Sequence, residues 1–263
     1  PQMFDSIAAL TTQRSIDAVV ASELSTAIYW SAFSAIPALF EDLEIGVLWS
    51  KVDRAPSPLH RLRHQLTQVK ARHYLSRLLP HFRACTVVSE QERALLRGVA
   101  PGYEPIEVIP NCINLADYGD IQPTPEPDTL TFTGSFRYFA NHDAMTWFLR
   151  DVYPRVQAQV PGVRLTITGD HANLPLPPAD NVTLTGFVDD VRPLIASSWV
   201  SLAPIRLGGG TRLKILEAMA LRTPVVATSK GAEGLDVQHE EHLLIADTPN
   251  AFAEAVIRLL KEP

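Results

Sequence analysis

From Thr129 onward, short runs of apolar and β-branched residues alternate with longer amphipathic stretches. The runs are Leu130–Thr133, Val163–Thr168, Val182–Thr185, Val200–Pro204, Pro224–Thr228 and His242–Ala246. Apolar runs this short and this continuous mark strands buried on both faces, as in a parallel sheet. Between them the spacing predicts helices near Asn141–Gln159, Val188–Ala196, Thr211–Leu221 and Pro249–Lys261. Such alternation predicts an α/β doubly wound fold. The first half follows the same rhythm less completely. It offers strands at Ser15–Ala21, Pro37–Phe40, Ala84–Ser89 and Ile106–Pro110, with helices over Glu23–Phe33, Ser57–Leu79 and Glu90–Arg97. The proline-rich stretch Gln122–Asp128 separates the halves, so the expected domains are residues 1–120 and 121–263.

Composition narrows the classes. The 263 residues are 46% hydrophobic and 20% charged, an ordinary globular balance. A formal net charge of −6 argues against nucleic acid as a partner, because phosphate backbones select basic surfaces. No apolar run approaches the ~20 residues that span a bilayer, and no signal peptide opens the chain. Cys85 and Cys112 lack C-x-x-C spacing and read as incidental thiols of a reduced, cytoplasmic protein.

Three strands end in glycine, at Gly134, Gly169 and Gly186. Ligands of open α/β sheets bind outside the carboxyl ends of the strands, where glycine permits close backbone approach or simply a tight turn. The densest signal is RLGGGTRLKILEAMALRTPVVAT, residues 206–228. Gly208, Gly209 and Gly210 follow an expected strand and lead into a helix expected to begin near Thr211. A helix start offers unpaired N–H groups and the positive end of the macrodipole. Residues without Cβ let an anion approach it, a ready phosphate site. Arg212 adds a bidentate donor and Lys214 a point charge. Glu217, more than a turn further on, is poorly placed for phosphate but suited to accept from ribose hydroxyls; alone, it would read as a surface glutamate. The spacing fits neither a P-loop nor a G-x-G-x-x-G fingerprint.

The segment resembles the donor-binding motif of glycosyltransferase family 4, the retaining enzymes of the GT-B fold, in the branch written G-G-G-T-R-x-K-x-L-E-A-M-A. Segments VIPNCINLADY (108–118), FTGSFRYFANHDAMTWFL (132–149) and LTGFVDDVRPLIASSWVSLAPIRLGGGTR (184–212) follow the family order. The resemblance implies two Rossmann-like doubly wound domains: an acceptor-side one over 1–120, incomplete in this chain, and a donor-binding one over 121–263. It implies that Glu217 binds the ribose and that Gly208 to Thr211, Arg212 and Lys214 hold the diphosphate. Gly134 and Ser135 would border the phosphates, and Gly186, Phe187 and Val188 would meet the nucleobase through backbone groups. The family's Arg and Lys of the first loop fall near Ser135 and Asn141 here, with Arg137 the available substitute. The family's first glutamate falls on Gly209, leaving a backbone N–H for that contact.

The implied activity is retaining sugar transfer from a nucleotide-diphosphate sugar to a glycan, lipid-linked or small-molecule acceptor, without a cofactor. Retention implies front-face attack, the donor phosphate taking the acceptor's proton. Charge grows on the leaving diphosphate as the glycosidic bond breaks, and a helix start with two cations faces it. The chain has no Asp-x-Asp and no H-E-x-x-H, so no metal is expected. Residues 54–83 carry seven Lys or Arg and no Asp or Glu, with Leu62, Leu66, Val69, Leu75, Leu78, Leu79 and Phe82 as an apolar face. Two readings stay open there: a peripheral contact with the inner membrane face, or a solvated helix over the N-terminal domain. ALFEDLEIG (38–46) stands where relatives carry a histidine-containing acceptor loop and has no histidine. The resemblance further implies βα units before Pro1, a helix after Pro263 and a fragment that turns over poorly. The alternative is a non-catalytic or epimerase-like GT-B protein that binds nucleotide-sugars.

Overall fold

The computed structural model describes residues 2–41, 45, 57–209 and 212–262. The chain divides into two units, Pro1–Pro110 and Asn111–Pro263.

Unit 1 contains α1 (Gln2–Gln13), β1 (Val19–Ser22), α2 (Glu23–Ala27), β2 (Ala38–Glu41), α3 (Pro58–Leu78), β3 (Ala84–Val87), α4 (Glu90–Val99) and β4 (Ile106–Val108). The four strands form a parallel sheet in the order β1-β2-β3-β4. Phe40, Leu75, Leu79, Cys85, Leu96 and Ile106 fill its core. Serines start α3 and α4: Ser57 Oγ accepts from His60 N, and Ser89 Oγ accepts from Glu92 N at 3.2 Å. These caps satisfy donors that the first helical turn leaves open. No helix was expected over 2–13; α1 has no fully buried residue, and its inner stripe Phe4, Ile7, Ala8 and Thr11 is only partly covered.

The expected single apolar face of 54–83 is corrected by α3. Leu75, Leu78, Leu79 and Phe82 are buried, whereas Leu62 and Leu66 are 52% and 53% exposed and Val69 64%. A helix turns about 100° per residue, which sets Leu59, Leu62, Leu66 and Val69 within an arc of roughly 80°, opposite Leu75, Leu78 and Leu79. The apolar face therefore changes sides midway.

Unit 2 contains β5 (Glu126–Thr133), α5 (Phe139–Trp147), α6 (Tyr153–Gln159), β6 (Arg164–Thr168), β7 (Val182–Gly186), α7 (Arg192–Ala196), β8 (Ser198–Ala203), α8 (Leu213–Ala220), β9 (Val225–Ala227), β10 (Leu244–Ile245) and α9 (Pro249–Lys261). Its sheet is parallel, in the order β10-β9-β8-β5-β6-β7. The core is built on Phe132, Phe148, Val152, Tyr153, Val200, Leu202 and Phe252, all fully buried. The helix expected over Asn141–Gln159 is split, with a π-helical turn at Phe148–Val152 between α5 and α6. Pro154 at the start of α6 cannot donate a helical hydrogen bond, so the regular ladder breaks before it. The helix expected from Val188 begins only at Arg192, with Pro193 in its first turn and Asp190 Oδ1 accepting from Arg192 N at 3.0 Å.

The strand order fixes where a ligand can bind. From β5 the chain moves outward to β6 and β7; after β8 it moves the other way, to β9 and β10. The carboxyl ends of β5 and β8 thus flank a topological switch point, where open α/β sheets form their crevice.

Candidate functional site

Two loops meet at that point. After β5, Gly134 and Ser135 turn the chain toward α5. Ser135 Oγ donates to Asp170 O at 3.2 Å and accepts from Arg137 N at 3.2 Å. Asn141 Nδ2 donates to Ser135 O at 2.8 Å. Gly169 follows β6 at φ +122°, and a Cβ there would lie 2.6 Å from the Gly134 carbonyl. Only glycine allows the ends of β5 and β6 to close so tightly.

The loop after β8 crosses to the same place. Arg206 Nη2 donates to Asp143 Oδ1 and Oδ2 at 2.8 and 2.9 Å, and its guanidinium lies 5.3 Å from the Trp147 ring centroid. Gly208 adopts φ +89°, and a Cβ there would run into the Tyr138 hydroxyl. Gly208 and Gly209 are buried; Gly210 and Thr211 lie outside the described residues. Arg212 takes the cap position, so α8 starts at Leu213 rather than near Thr211. The Arg212 side chain is buried and folds back, Nη2 donating to Leu207 O at 3.2 Å, while Nε has no partner among the described residues.

Lys214 reaches from the first turn of α8 to the β5 loop. Its Nζ donates to Asn141 Oδ1 at 3.2 Å and lies 3.8 Å from the Phe132 ring centroid. The residue is half-buried by surface, but protein surrounds the ammonium closely. Burial, then repulsion from Arg212, pulls its pKa down to about 7, and Glu217 partly opposes this.

Three residues along the helix, Glu217 lines an open depression of about 500 Å³. Ile113, Asn114, Asp117, Tyr118, Asp189, Asp190, Val191, Arg192 and Leu213 form the rest of its wall. Tyr118 Oη donates to Glu217 Oε1 at 3.3 Å. Arg192 holds Asp190 through Nε and Nη2, each at 2.8 Å, and also donates to Asp117 O.

The structure therefore gathers Gly134, Ser135, Gly208, Arg212 and Lys214 around the ends of β5 and β8, with Glu217 next to them. Arg137 instead pairs with Asp170, whose carboxyl is held below its usual range by the Ala172 N–H and then by Arg137. Gly186, Phe187 and Val188 lead into the depression, but its lining begins at Asp189; Phe187 is 77% exposed. Spacing alone missed Tyr118, Asp190, Arg192 and the Arg206–Asp143 pair. Tyr118 lies in the segment 108–118 that the resemblance had already singled out. Among the described residues, no cluster of His, Cys, Asp or Glu forms a metal site, and no helix is long and apolar enough to cross a membrane.

Comparison with known proteins gives the family and the fold. A family profile described as "Glycosyl transferases group 1" matches residues 127–262. An "Uncharacterized 44.6 kDa protein in cps region" of Klebsiella pneumoniae is 28% identical over 141 residues, 49% of this chain and 36% of that protein. Anabaena Alr3699/HepE, solved with UDP and glucose, aligns with a TM-score of 0.68 at 14% identity, covering 99% of this chain and 72% of that one. An α,α-trehalose-phosphate synthase (UDP-forming) from Burkholderia vietnamiensis gives 0.68 at 12% identity, over 100% of this chain and 71% of that one. S. aureus TarM gives 0.68 at 11%, with 98% and 51% covered. The chain thus spans about a third of the Klebsiella protein and half of TarM. Its parallel sheets are those of GT-B enzymes, and with more than half of its residues matched by the profile, the chain belongs to the group 1 glycosyltransferases.

Proposed function

We propose that this chain carries the donor-binding machinery of a retaining, family 4 sugar transferase that uses a nucleotide-diphosphate sugar. One observation carries the reading: α8 presents Lys214 to the strand-end loops and, three residues on, Glu217 to the adjacent depression. An anion-binding group and a diol-binding group so close together match a diphosphate joined to a ribose. HepE, solved with UDP and glucose, supports a nucleotide-sugar as the ligand class.

On this reading, Arg212, Lys214 and the start of α8 hold the diphosphate and stabilise the charge that grows on it as the sugar leaves. These cations meet the charge without a metal. Front-face attack places the acceptor hydroxyl beside the leaving phosphate, which takes its proton. The acceptor is a glycan or a lipid-linked sugar. The outward stripe Leu59, Leu62, Leu66 and Val69, beside Arg63 and Lys70, supports a contact of unit 1 with an anionic membrane surface.

Calorimetry of the full chain with UDP, GDP, ADP and CDP tests the reading. One of them is expected to bind, with affinity reduced at least tenfold in Lys214→Ala. If a folded chain binds none of them, the reading is wrong.

A further inference from the structure

We propose that Tyr118 is a positioning residue for Glu217, fixing the carboxylate that reads the donor's ribose so that ribonucleotide donors are selected over 2′-deoxyribonucleotide ones. The proposal rests on the donor-binding reading above.

Tyr118 ends a short 3-10 turn, Leu115–Tyr118, that is held independently of the phenol. Asn114 caps the turn, its Oδ1 accepting from Ala116 N at 3.2 Å and its Nδ2 donating to Asp117 Oδ1 at 3.1 Å. From the other side, Arg192 donates to Asp117 O while Asp190 grips the same guanidinium. The phenol is therefore delivered to Glu217 by a fixed frame. A glutamate side chain has three rotatable bonds, and a carboxylate left free would have to be ordered at the moment of binding. The Tyr118 hydroxyl fixes it beforehand, through Oε1 at 3.3 Å. Glu217 Oε2 has no hydrogen-bond partner among the described residues, and Glu217 lines the depression. One oxygen is thus held and the other left for a sugar hydroxyl, as carboxylates read the ribose in dinucleotide folds. A phenol is protonated at neutral pH and so donates; burial first, then the Glu217 charge, raises the Tyr118 pKa further.

The rival explanation is that the bond only fastens the Leu115–Tyr118 turn to α8. Ribose discrimination separates the two. The tightest-binding ribonucleoside diphosphate and its 2′-deoxy analogue are titrated into the full chain, Tyr118→Phe, Glu217→Gln and the double variant. Wild type is expected to prefer the ribonucleotide. Tyr118→Phe is expected to shrink that preference roughly fivefold, the net scale of one ordinary hydrogen bond, with deoxy affinity changed less than about twofold. The double variant should be no worse than Glu217→Gln, because both changes act through one group. Thermal melts check the fold; if Tyr118→Phe unfolds, Tyr118→His, which keeps a ring donor, should retain part of the preference. Equal losses for ribo and deoxy ligands, or an unchanged ratio, overturn the role of Tyr118 and leave donor binding standing. Wild-type binding without any ribose preference overturns both the role of Tyr118 and the assignment of Glu217.

Discussion

Lys214 lies between the Phe132 ring and Asn141 Oδ1, at 3.8 and 3.2 Å, with Arg212 and Glu217 as its charged neighbours. Its pKa of about 7 reflects a shortage of counter-charge around a desolvated ammonium. A diphosphate supplies that charge, so binding favours the protonated form and takes up a proton. Affinity is expected to fall as pH rises through about 7, by up to tenfold per unit until the pKa of the complex is reached. Lys214→Met should bind weakly with a flat pH profile, and calorimetry between pH 6 and 9 in buffers of differing ionisation enthalpy would read both effects. The sign for folding is opposite. Because the folded pKa lies below the unfolded one, the cost of charging Lys214 is present in full below pH about 7 and is relieved as pH rises toward the ordinary lysine range. Lys214 and Glu217 were singled out in sequence only by the glycine-rich turn before them and by the family resemblance, because a lysine and a glutamate one turn apart are otherwise an ordinary surface pair. Tyr118 was not: 99 residues separate it from Glu217, and no local pattern announces so distant a contact.

Among the elements, the ends of β5 and β6 set the tolerance of the site. Gly169 faces the Gly134 carbonyl so closely that a methyl group would force the two strand ends apart, and its φ of +122° is strained for any side chain. Gly169→Ala is expected to cost about 2–3 kcal/mol in chemical denaturation. It should also weaken nucleotide binding, because Gly134 and Ser135 move with the strand end. An unchanged midpoint and affinity would show that the loops relax freely. Most strands were legible because continuous apolar runs of four to six residues are rare outside buried sheets. Helix limits were less legible. Pro154 and Pro193 reset the starts of α6 and α7, and whether a proline begins, kinks or ends a helix depends on what the neighbouring turns pack against.

For the whole molecule, charge is divided unevenly. The chain carries a net −6 while residues 54–83 carry +7, which leaves −13 elsewhere. An anionic surface would attract α3 and repel the remainder, orienting the molecule on it. The full chain is expected to sediment with phosphatidylglycerol vesicles at low salt and not with phosphatidylcholine ones. Leu62→Glu with Leu66→Glu should reduce this binding about tenfold or more, given the apolar area the two leucines would otherwise bury. Equal binding to both vesicle types would show an attachment that does not depend on charge, and binding to neither would favour a solvated helix.

By itself the sequence determined the α/β class, the two sheets' strand segments and the glycine-rich turn with its charged helix, because these depend on residues adjacent or a few positions apart. Only the tertiary structure decided that Arg137 is spent on Asp170, that Lys214 is held by Asn141, that Tyr118 reaches Glu217, and that Leu59, Leu62 and Leu66 of α3 face away from the core while Leu75 and Leu78 face it. Each of these depends on which distant elements the sheet order brings together and on the direction a helix face takes when it packs, and neither is encoded within any local window of the chain.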